Sequence, residues 1–305
     1  MFVLAHLSDP HLGPIPTPRA RELANKRGLG FINWYRGRHA IHRPEVLALL
    51  ERDIAERNAD HIAVTGDLVN LALTAEFATA HQWLARLGPP ERVTVVPGNH
   101  DAYVRAAAAH PLRYWGDYMR GDADGPLTTP GAATHFPFVR RRGPLALVGL
   151  STAVPTGPLM ATGRLGADQL MRLADTLEAL GREGVFRVVL IHHPPLSRPS
   201  QHLKRLIDAG ALRRIIAQHG AELVLHGHAH LHLLAWLDGP NGRVPAVGVP
   251  SASAAEDRHG HPAAYNLYTI ERAGNGWRCK AVTRGVANGV VSEMEQRSLS
   301  LSERN

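Results

Sequence analysis

Short apolar runs and longer amphipathic segments alternate along most of the chain. The short runs are rich in Val, Ile and Leu and end at Gly, Pro or a polar residue, which is typical of buried strands. The longer segments carry apolar residues at intervals of three and four, which predicts helices. Predicted strands cover residues 2–7, 61–64, 93–96, 145–150, 186–191 and 223–225, and predicted helices cover 45–57, 74–87, 168–180 and 203–219. This order of elements predicts an α/β protein with parallel strands.

The pattern changes after residue 230. Three further strands, over 233–237, 244–249 and 265–270, are separated by turns of Gly, Pro and Asn without an intervening helix, which predicts an antiparallel return. The last residues are polar. We therefore predict one domain over 1–290, followed by a polar, mobile tail over 291–305.

Polar side chains follow five of the predicted strands at the point where each strand ends. In the stretch 93–101, a β-branched run ends at Pro97-Gly98, directly before an amide, an imidazole and a carboxylate. Right-handed crossovers place the carboxyl ends of parallel strands at one edge of a sheet, so we expect the five groups to meet there. The groups are Asp9-Pro10-His11, Gly66-Asp67, Gly98-Asn99-His100-Asp101, His192 and Gly227-His228-Ala229-His230.

The composition narrows the kind of site that these groups form. The chain has 305 residues and a formal net charge of +7, which favours anionic partners such as phosphate esters. A single cysteine excludes an internal disulfide and a zinc site built on cysteines. Imidazole nitrogens with carboxylate and amide oxygens suit Mn, Fe, Zn or Co. Because six or seven ligands are too many for one tetrahedral zinc, two metal ions that share a carboxylate account for them better.

A site with two metal ions suits the hydrolysis of a phosphodiester, which is an anion that resists attack by hydroxide. Two cations neutralise the anion, lower the pKa of a bridging water, and hold the attacking and leaving oxygens in line. His100 adjoins Asn99 but is needed by neither metal. It therefore fits the role of an imidazole that stabilises the transition state or protonates the leaving alkoxide.

Taken together and in order, the five groups resemble the signature of the calcineurin-like metallophosphoesterase superfamily, over roughly residues 1–250. The resemblance implies a four-layer αββα sandwich with a di-metal site at the sheet edges and a metal-bridging hydroxide as the nucleophile. It implies that one metal binds Asp9, His11, Asp67 and His230, and that the second shares Asp67 and binds Asn99, His192 and His228. It also implies that His100 is the catalytic imidazole and that Asp101 orients it.

Other histidines compete for these roles. The family pattern His-x-Pro, matched by His192-His193-Pro194, favours His192 as the ligand, and His193 is the alternative. Several further histidines are interpreted as ordinary surface or core residues, namely His6, His39, His42, His61, His81 and His110.

Residues 14–43 interrupt the alternation of strands and helices with a basic, aromatic segment, here called the insert. Phe31, Trp34, Tyr35 and Arg38 stand at i, i+3, i+4 and i+7, which is one face of a helix. Three interpretations are open: aromatics that only pack on the domain, a cap that recognises the substrate, or a foot on a membrane surface. Because the insert begins directly after Asp9 and His11, we predict that it overhangs the active site.

The form His192-His193-Pro194-Pro195 resembles the bacterial branch of cyclic-nucleotide and glycerophosphodiester phosphodiesterases. We therefore expect a small anionic phosphodiester as the substrate and Mn or Fe as the metals, with Zn or Co as alternatives. The competing interpretation is a membrane-surface pyrophosphatase of the UDP-2,3-diacylglucosamine hydrolase kind, which the aromatic and basic insert favours.

Other classes of protein are disfavoured. Aromatic residues make up only 6% of the chain, so we expect no stable complex with nucleic acid. A non-catalytic binding scaffold is disfavoured because the ligand set lacks no member. No apolar stretch approaches the roughly 20 residues of a membrane span, and the first residues do not resemble a signal peptide. We expect a cytoplasmic protein, with peripheral contact at the inner membrane face as the alternative.

Overall fold

A computed structural model describes residues 1–122, 136–196, 199–255 and 261–299. These residues form two six-stranded sheets, with the strand orders β12-β11-β10-β1-β2-β3 and β4-β5-β6-β7-β9-β8. The strands are β1 (Phe2–Leu7), β2 (His61–Val64), β3 (Val93–Val95), β4 (Phe138–Arg142), β5 (Leu145–Gly149), β6 (Phe186–Leu190), β7 (Leu223–His226), β8 (Leu233–Gly239), β9 (Gly242–Gly248), β10 (Ala264–Ala273), β11 (Gly276–Ala287) and β12 (Val290–Ser298).

Six α-helices of six residues or more accompany the strands in the described ranges. They are α1 (Lys26–Asn33), α2 (Pro44–Glu56), α3 (Thr74–Leu87), α4 (His110–Trp115), α5 (Ala167–Glu183) and α6 (Ala209–His219). Short 3-10 turns occur at Ala20–Glu22, Arg105–Ala107, Gly116–Met119 and Pro199–Lys204. None of the helices in these ranges is both long enough and apolar enough to cross a bilayer.

Alternating residues of the second sheet pack on opposite sides of it, as the pleat of a strand requires. Leu147, Leu190 and Leu225 join a core cluster with residues of the first sheet and of α2 and α3. Their neighbours Val148 and Val189 belong to a second cluster that includes the apolar faces of α5 and α6. Helices therefore cover the outer faces of two stacked sheets. The predicted fold class, a four-layer αββα sandwich, is confirmed.

The predicted single sheet edge is wrong. β1, β2 and β3 pair in parallel in the first sheet, whereas β6 and β7 pair in parallel in the second. The polar groups therefore come from the carboxyl ends of two sheets. Sheet membership depends on long-range pairing, which the periodicity of each segment does not reveal.

Two predicted elements differ from the structure. The helix predicted over 203–219 begins only at Ala209, because the preceding backbone pairs instead with residues 161–163: Ala161 N donates to Leu203 O and Ile207 N donates to Gly163 O. The mobile tail predicted from 291 is wrong for its first part, since residues 290–298 pair antiparallel with β11 as an edge strand. The charges that made this segment resemble a tail are typical of edge strands. Residues 300–305 lie outside the described ranges.

The three consecutive arginines Arg140-Arg141-Arg142 precede Gly143-Pro144, and by their charge alone they predict a solvated turn, which is wrong. The run belongs to β4, and the buried Arg140 side chain donates to four backbone carbonyls. These acceptors are the carbonyl oxygens of Pro90, Val93, Asp117 and Arg120. The sequence also predicts a loop over 121–130, and most of it lies outside the described residues.

The insert is largely helical. α1 begins after Asn25, whose side chain accepts a hydrogen bond from the backbone N–H of Arg27. It continues through a π-helical turn at Trp34–Arg38 and a last helical turn at His39–Ile41. Phe31 and Trp34 pack against a small cluster formed by Ile15, Leu71 and Leu73, together with Tyr103. These two aromatic rings therefore fix the insert to the domain.

Candidate metal centre

Each predicted ligand lies just beyond the carboxyl end of a strand. In the first sheet, Asp9 and His11 follow β1, Asp67 follows β2 and Asn99 follows β3; in the second, His192 follows β6, and His228 and His230 follow β7. The ends of the two sheets meet at this point. As a result, His230 Nε2 lies 3.2 Å from Asp9 Oδ1, although the two residues are 221 positions apart.

Five of the seven predicted ligands have a left-handed backbone conformation. The φ angles are 52° at Asp9, 40° at His11, 55° at Asp67, 65° at His228 and 55° at His230. This conformation costs an L-amino acid about 1–2 kcal/mol, and such strain concentrates at functional sites. The turns therefore direct these side chains toward a common point. Packing alone would not require the backbone strain that this arrangement carries.

The first group of ligand atoms joins Asp9, His11 and His230. His11 Nε2 lies 3.3 Å from His230 Nε2 and 4.0 Å from Asp9 Oδ1. Asp9 and His11 are fully or almost fully buried. Two imidazole nitrogens and a carboxylate oxygen at these separations form a compact set of donors to a transition metal.

The second group joins His192, Asn99 and His228, with Asp67 between the two groups. Asp67 Oδ2 lies 3.4 Å from His192 Nε2 and 3.9 Å from His11 Nε2, so one carboxylate oxygen faces both groups. Asn99 Oδ1 lies 3.2 Å from His192 Nε2. A ligand nitrogen of His228 lies within 4.8 Å of ligand atoms of Asp67 and His192.

Three of the four predicted histidine ligands use their other ring nitrogen on a backbone carbonyl. The partners are Val69 O for His11, at 3.3 Å, Thr65 O for His192, at 2.6 Å, and Lys204 O for His228, at 2.8 Å. Each carbonyl accepts a hydrogen bond from one ring N–H. The opposite ring nitrogen then has a lone pair that faces the site. Metal-binding histidines are commonly held in this way.

Two glycines allow the backbone to approach the carboxylates. A Cβ atom on Gly98 would lie 2.2 Å from Asp67 Oδ1, and one on Gly227 would lie 2.4 Å from Asp9 Oδ2. Any side chain at either position would displace a predicted ligand. This close approach explains why glycine precedes Asn99 and His228 in the sequence.

Asp101 does not orient His100, and that prediction is wrong. Its carboxylate accepts backbone N–H groups instead, from Asp67, Leu68, Val69 and Gly98, at 2.8–3.2 Å. Burial and then the nearby Asp67 charge raise the pKa of Asp101 to about 7. Asp101 therefore fixes the two loops that carry Asp67 and Asn99. Adjacency in sequence to His100 suggested a contact that the fold does not make.

His100 is held by a different group. Its Nδ1 donates to Asn70 O over 2.5 Å, and its ring stacks on Tyr103 with centroids 5.3 Å apart. Nε2 is left facing the site, where the Arg38 guanidinium donates to it over 3.1 Å. Burial and then the Arg38 charge lower the pKa of His100 to about 4.

The charges of Asp67 and His192 stabilise each other. Burial lowers the pKa of His192, but the Asp67 carboxylate outweighs that effect and raises it to about 9. Burial raises the pKa of Asp67, but His192 and then His100 bring it below its usual value. The Asp67 carboxylate thus favours the protonated form of the His192 imidazole, with the proton on the nitrogen that faces the site. A metal ion would take the place of this proton, because only the neutral imidazole binds metal.

His193 has both ring nitrogens occupied. Nδ1 lies 2.7 Å from Thr152 Oγ1, and Nε2 lies 3.0 Å from Ala161 O. His192, by contrast, presents Nε2 to Asp67. The geometry favours His192 over His193 as the ligand.

Sequence reasoning missed two residues of the site, both from the end of the insert. His42, interpreted as an ordinary histidine, is buried with its ring 4.5 Å from that of His11, and its Nδ1 bonds Ser253 Oγ. Arg38 was grouped with the aromatic helix face, yet its guanidinium reaches both His11 and His100. In the sequence, the only signal for either residue was that Arg38 and His42 lie four positions apart, just before α2.

The donor set fits two metal ions. The described residues contain three groups of ligand atoms, and within each group all atoms lie within 4.8 Å of one another. The groups are His11 with His42 and His230, His11 with Asp67 and His100, and Asp67 with His192 and His228. The groups overlap at His11 and Asp67. Buried carboxylates among several imidazoles are costly without cations to balance them, and two divalent ions would balance them here.

Comparison with known proteins identifies the family of this chain. The profile of the calcineurin-like phosphoesterase family matches residues 2–232, which is most of the chain. The chain belongs to this family, whose members act with two metal ions. No curated protein sequence matches it.

Two solved structures share the fold at low sequence identity. A dimetal phosphatase from Danio rerio has a TM-score of 0.61 and 12% identity over 99% of both chains. The purple acid phosphatase PPD1 from yellow lupin, Lupinus luteus, has a TM-score of 0.62 and 12% identity over 96% of this chain and 52% of its own. At this identity the likeness concerns the fold.

Proposed function

We propose that this protein hydrolyses a small anionic phosphodiester of the cyclic-nucleotide or glycerophosphodiester type at a centre of two metal ions. The observation that carries the proposal is the position of Asp67, one of whose oxygens faces both His11 and His192. Two bound cations would neutralise the phosphate and activate a water molecule between them. Mn or Fe suits the mixed nitrogen and oxygen donors, with Zn or Co as alternatives.

The protein's own residues would position the reacting groups. His100 Nε2 faces the ligand cluster, and the bond from Nδ1 to Asn70 and the stacked Tyr103 fix the plane of the ring. A bound anionic diester would raise the pKa of His100 above about 4 and draw the Arg38 donor away from Nε2, so that a proton at Nε2 could reach the leaving oxygen. Asp101 would keep the loops of Asp67 and Asn99 in register without touching the substrate.

A hydrolysis screen of the metal-reconstituted protein tests the proposal. We expect bis-p-nitrophenyl phosphate to be hydrolysed at least about tenfold faster than p-nitrophenyl phosphate, as kcat/KM, because the proposed site serves a diester. Cyclic AMP, glycerophosphodiesters and UDP-diacylglucosamine would identify the natural class. A clear preference for monoesters would overturn diester specificity while leaving the family assignment intact.

A second candidate function, a membrane-surface pyrophosphatase, is favoured by the outer face of the insert. Leu29, Ile32 and Tyr35 point away from the domain and are 53%, 47% and 71% exposed. Exposed apolar side chains beside Arg36 suit an anionic lipid surface. The aromatic face predicted from sequence is divided, since Phe31 and Trp34 pack inward.

Liposome sedimentation tests this second candidate. If the insert binds membrane, the protein will sediment with anionic vesicles, and the triple variant Leu29→Ser/Ile32→Ser/Tyr35→Ser will not. Met171→Ser is the matched control, because Met171 on α5 is 63% exposed, within the range of the three insert residues, but lies outside the insert. Failure of the wild-type protein to sediment would contradict membrane contact through the insert.

A further inference from the structure

We propose that Arg38 binds the phosphoryl group of the substrate, so that the insert supplies one wall of the substrate site. The inference rests on the proposed function, because it requires a phosphoester at the metal centre. The Arg38 guanidinium lies between two imidazoles, with one NH2 group 3.1 Å from His100 Nε2 and the other 3.1 Å from His11 Nε2.

No residue in the described ranges forms an ion pair with Arg38. Among the described residues, no carboxylate oxygen lies within 4.0 Å of its guanidinium, although Asp67 and Asp9 are near enough to act on it through their charge. The side chain is shielded from much of the solvent. A partly buried cation that faces only neutral acceptors is poorly compensated. A phosphate anion at the metal centre would supply the missing partner.

Metal binding would release one of the two present acceptors. His11 Nε2, which accepts from Arg38, is also the nitrogen that faces Asp67 and His230. A single lone pair accepts a hydrogen bond or binds a metal, but does not do both. With a metal on His11, that guanidinium NH2 group would be free to donate to a phosphoryl oxygen. The planar fork of arginine matches phosphate oxygens in a way that lysine does not.

The insert holds Arg38 in place before any substrate binds. Arg38 closes the π-helical turn that begins at Trp34, and such turns are frequent at functional sites. Earlier in the same helical segment, Phe31 packs on the domain and Arg27 Nε donates to Leu71 O over 2.9 Å. Contacts made by neighbouring residues of the insert therefore fix the backbone that carries Arg38, so the guanidinium is positioned at the site without depending on its own contacts.

The test measures the affinity of the manganese-loaded protein for inorganic phosphate by calorimetry. We expect Arg38→Gln to weaken phosphate binding about 10- to 100-fold, as expected for loss of a charge-assisted hydrogen bond, and to raise KM for bis-p-nitrophenyl phosphate. Arg38→Lys should restore part of the affinity, because it keeps the charge but not the fork. Arg36→Gln is the matched control, because Arg36 lies in the same π-helical turn but is exposed. The Arg36→Gln protein should bind phosphate with the affinity of the wild type.

Two results would overturn the proposal. Unchanged phosphate affinity with lost metal or a lower Tm in Arg38→Gln would make Arg38 a structural residue. Unchanged phosphate affinity with a lower kcat would mean that it acts only through His100. Failure of the proposed function is a separate result: the wild type would hydrolyse no phosphodiester, whether or not Arg38 governs phosphate binding.

Discussion

Replacing Asp67 with Asn should abolish hydrolysis and remove bound metal. The reason is that one Asp67 oxygen faces His11 on one side and His192 on the other, so both metals would lose a ligand and a compensating charge. Loss of an outer-shell partner alone weakens metal sites up to about 100-fold, and we expect loss of a shared ligand to exceed this in kcat/KM. Metal analysis and hydrolysis of bis-p-nitrophenyl phosphate measure the two effects.

The matched control is Asp175→Asn, an identical change at an exposed position on α5. It should retain wild-type activity and metal. Asn at position 67 can still accept the hydrogen bond that His100 N donates to Asp67 Oδ1, so the fold should survive. Activity within about tenfold of wild type in Asp67→Asn would contradict the role assigned to this carboxylate.

Replacing His100 with Ala should lower kcat about 10²- to 10⁴-fold while both metals stay bound, since this is the range for one general acid–base group. His100 lies beside the cluster, and its Nδ1 is engaged by Asn70. The loss should be larger for alkyl diesters than for bis-p-nitrophenyl phosphate, because p-nitrophenolate leaves without needing a proton.

His81→Ala, at an exposed position on α3, serves as the control and should leave every rate unchanged. Equal losses for good and poor leaving groups would show that His100 acts by electrostatics and not by proton transfer. If metal content falls in His100→Ala, then His100 is itself a ligand, in keeping with the cluster it forms with His11 and Asp67.

The strand ends were predictable because their signal is local. A β-branched run, a glycine and then a polar ligand lie next to one another in sequence, and the close approach of Gly98 to Asp67 shows why the glycine is needed. The bounds of β1 and α3 follow in the same way from short-range periodicity. The seven predicted ligands come together in the structure, while their roles as ligands stay predictions.

The errors arose where long-range packing decides. Arg140 resembled a surface residue, because nothing nearby in sequence shows that four distant carbonyls surround it. Asp101 was paired with its neighbour His100, but it binds the backbone of a loop more than 30 residues away. Arg38 and His42 reach the site only through the helical path of the insert, which composition alone could not define.

Electron paramagnetic resonance of the manganese-reconstituted protein tests the central claim most directly. Two Mn(II) ions that share the Asp67 carboxylate would lie about 3.5–4 Å apart and be magnetically coupled. We predict a spin-coupled spectrum at two manganese equivalents per chain in the wild type. The spectrum of isolated Mn(II) at two equivalents, or binding that saturates at one, would contradict a shared binuclear centre.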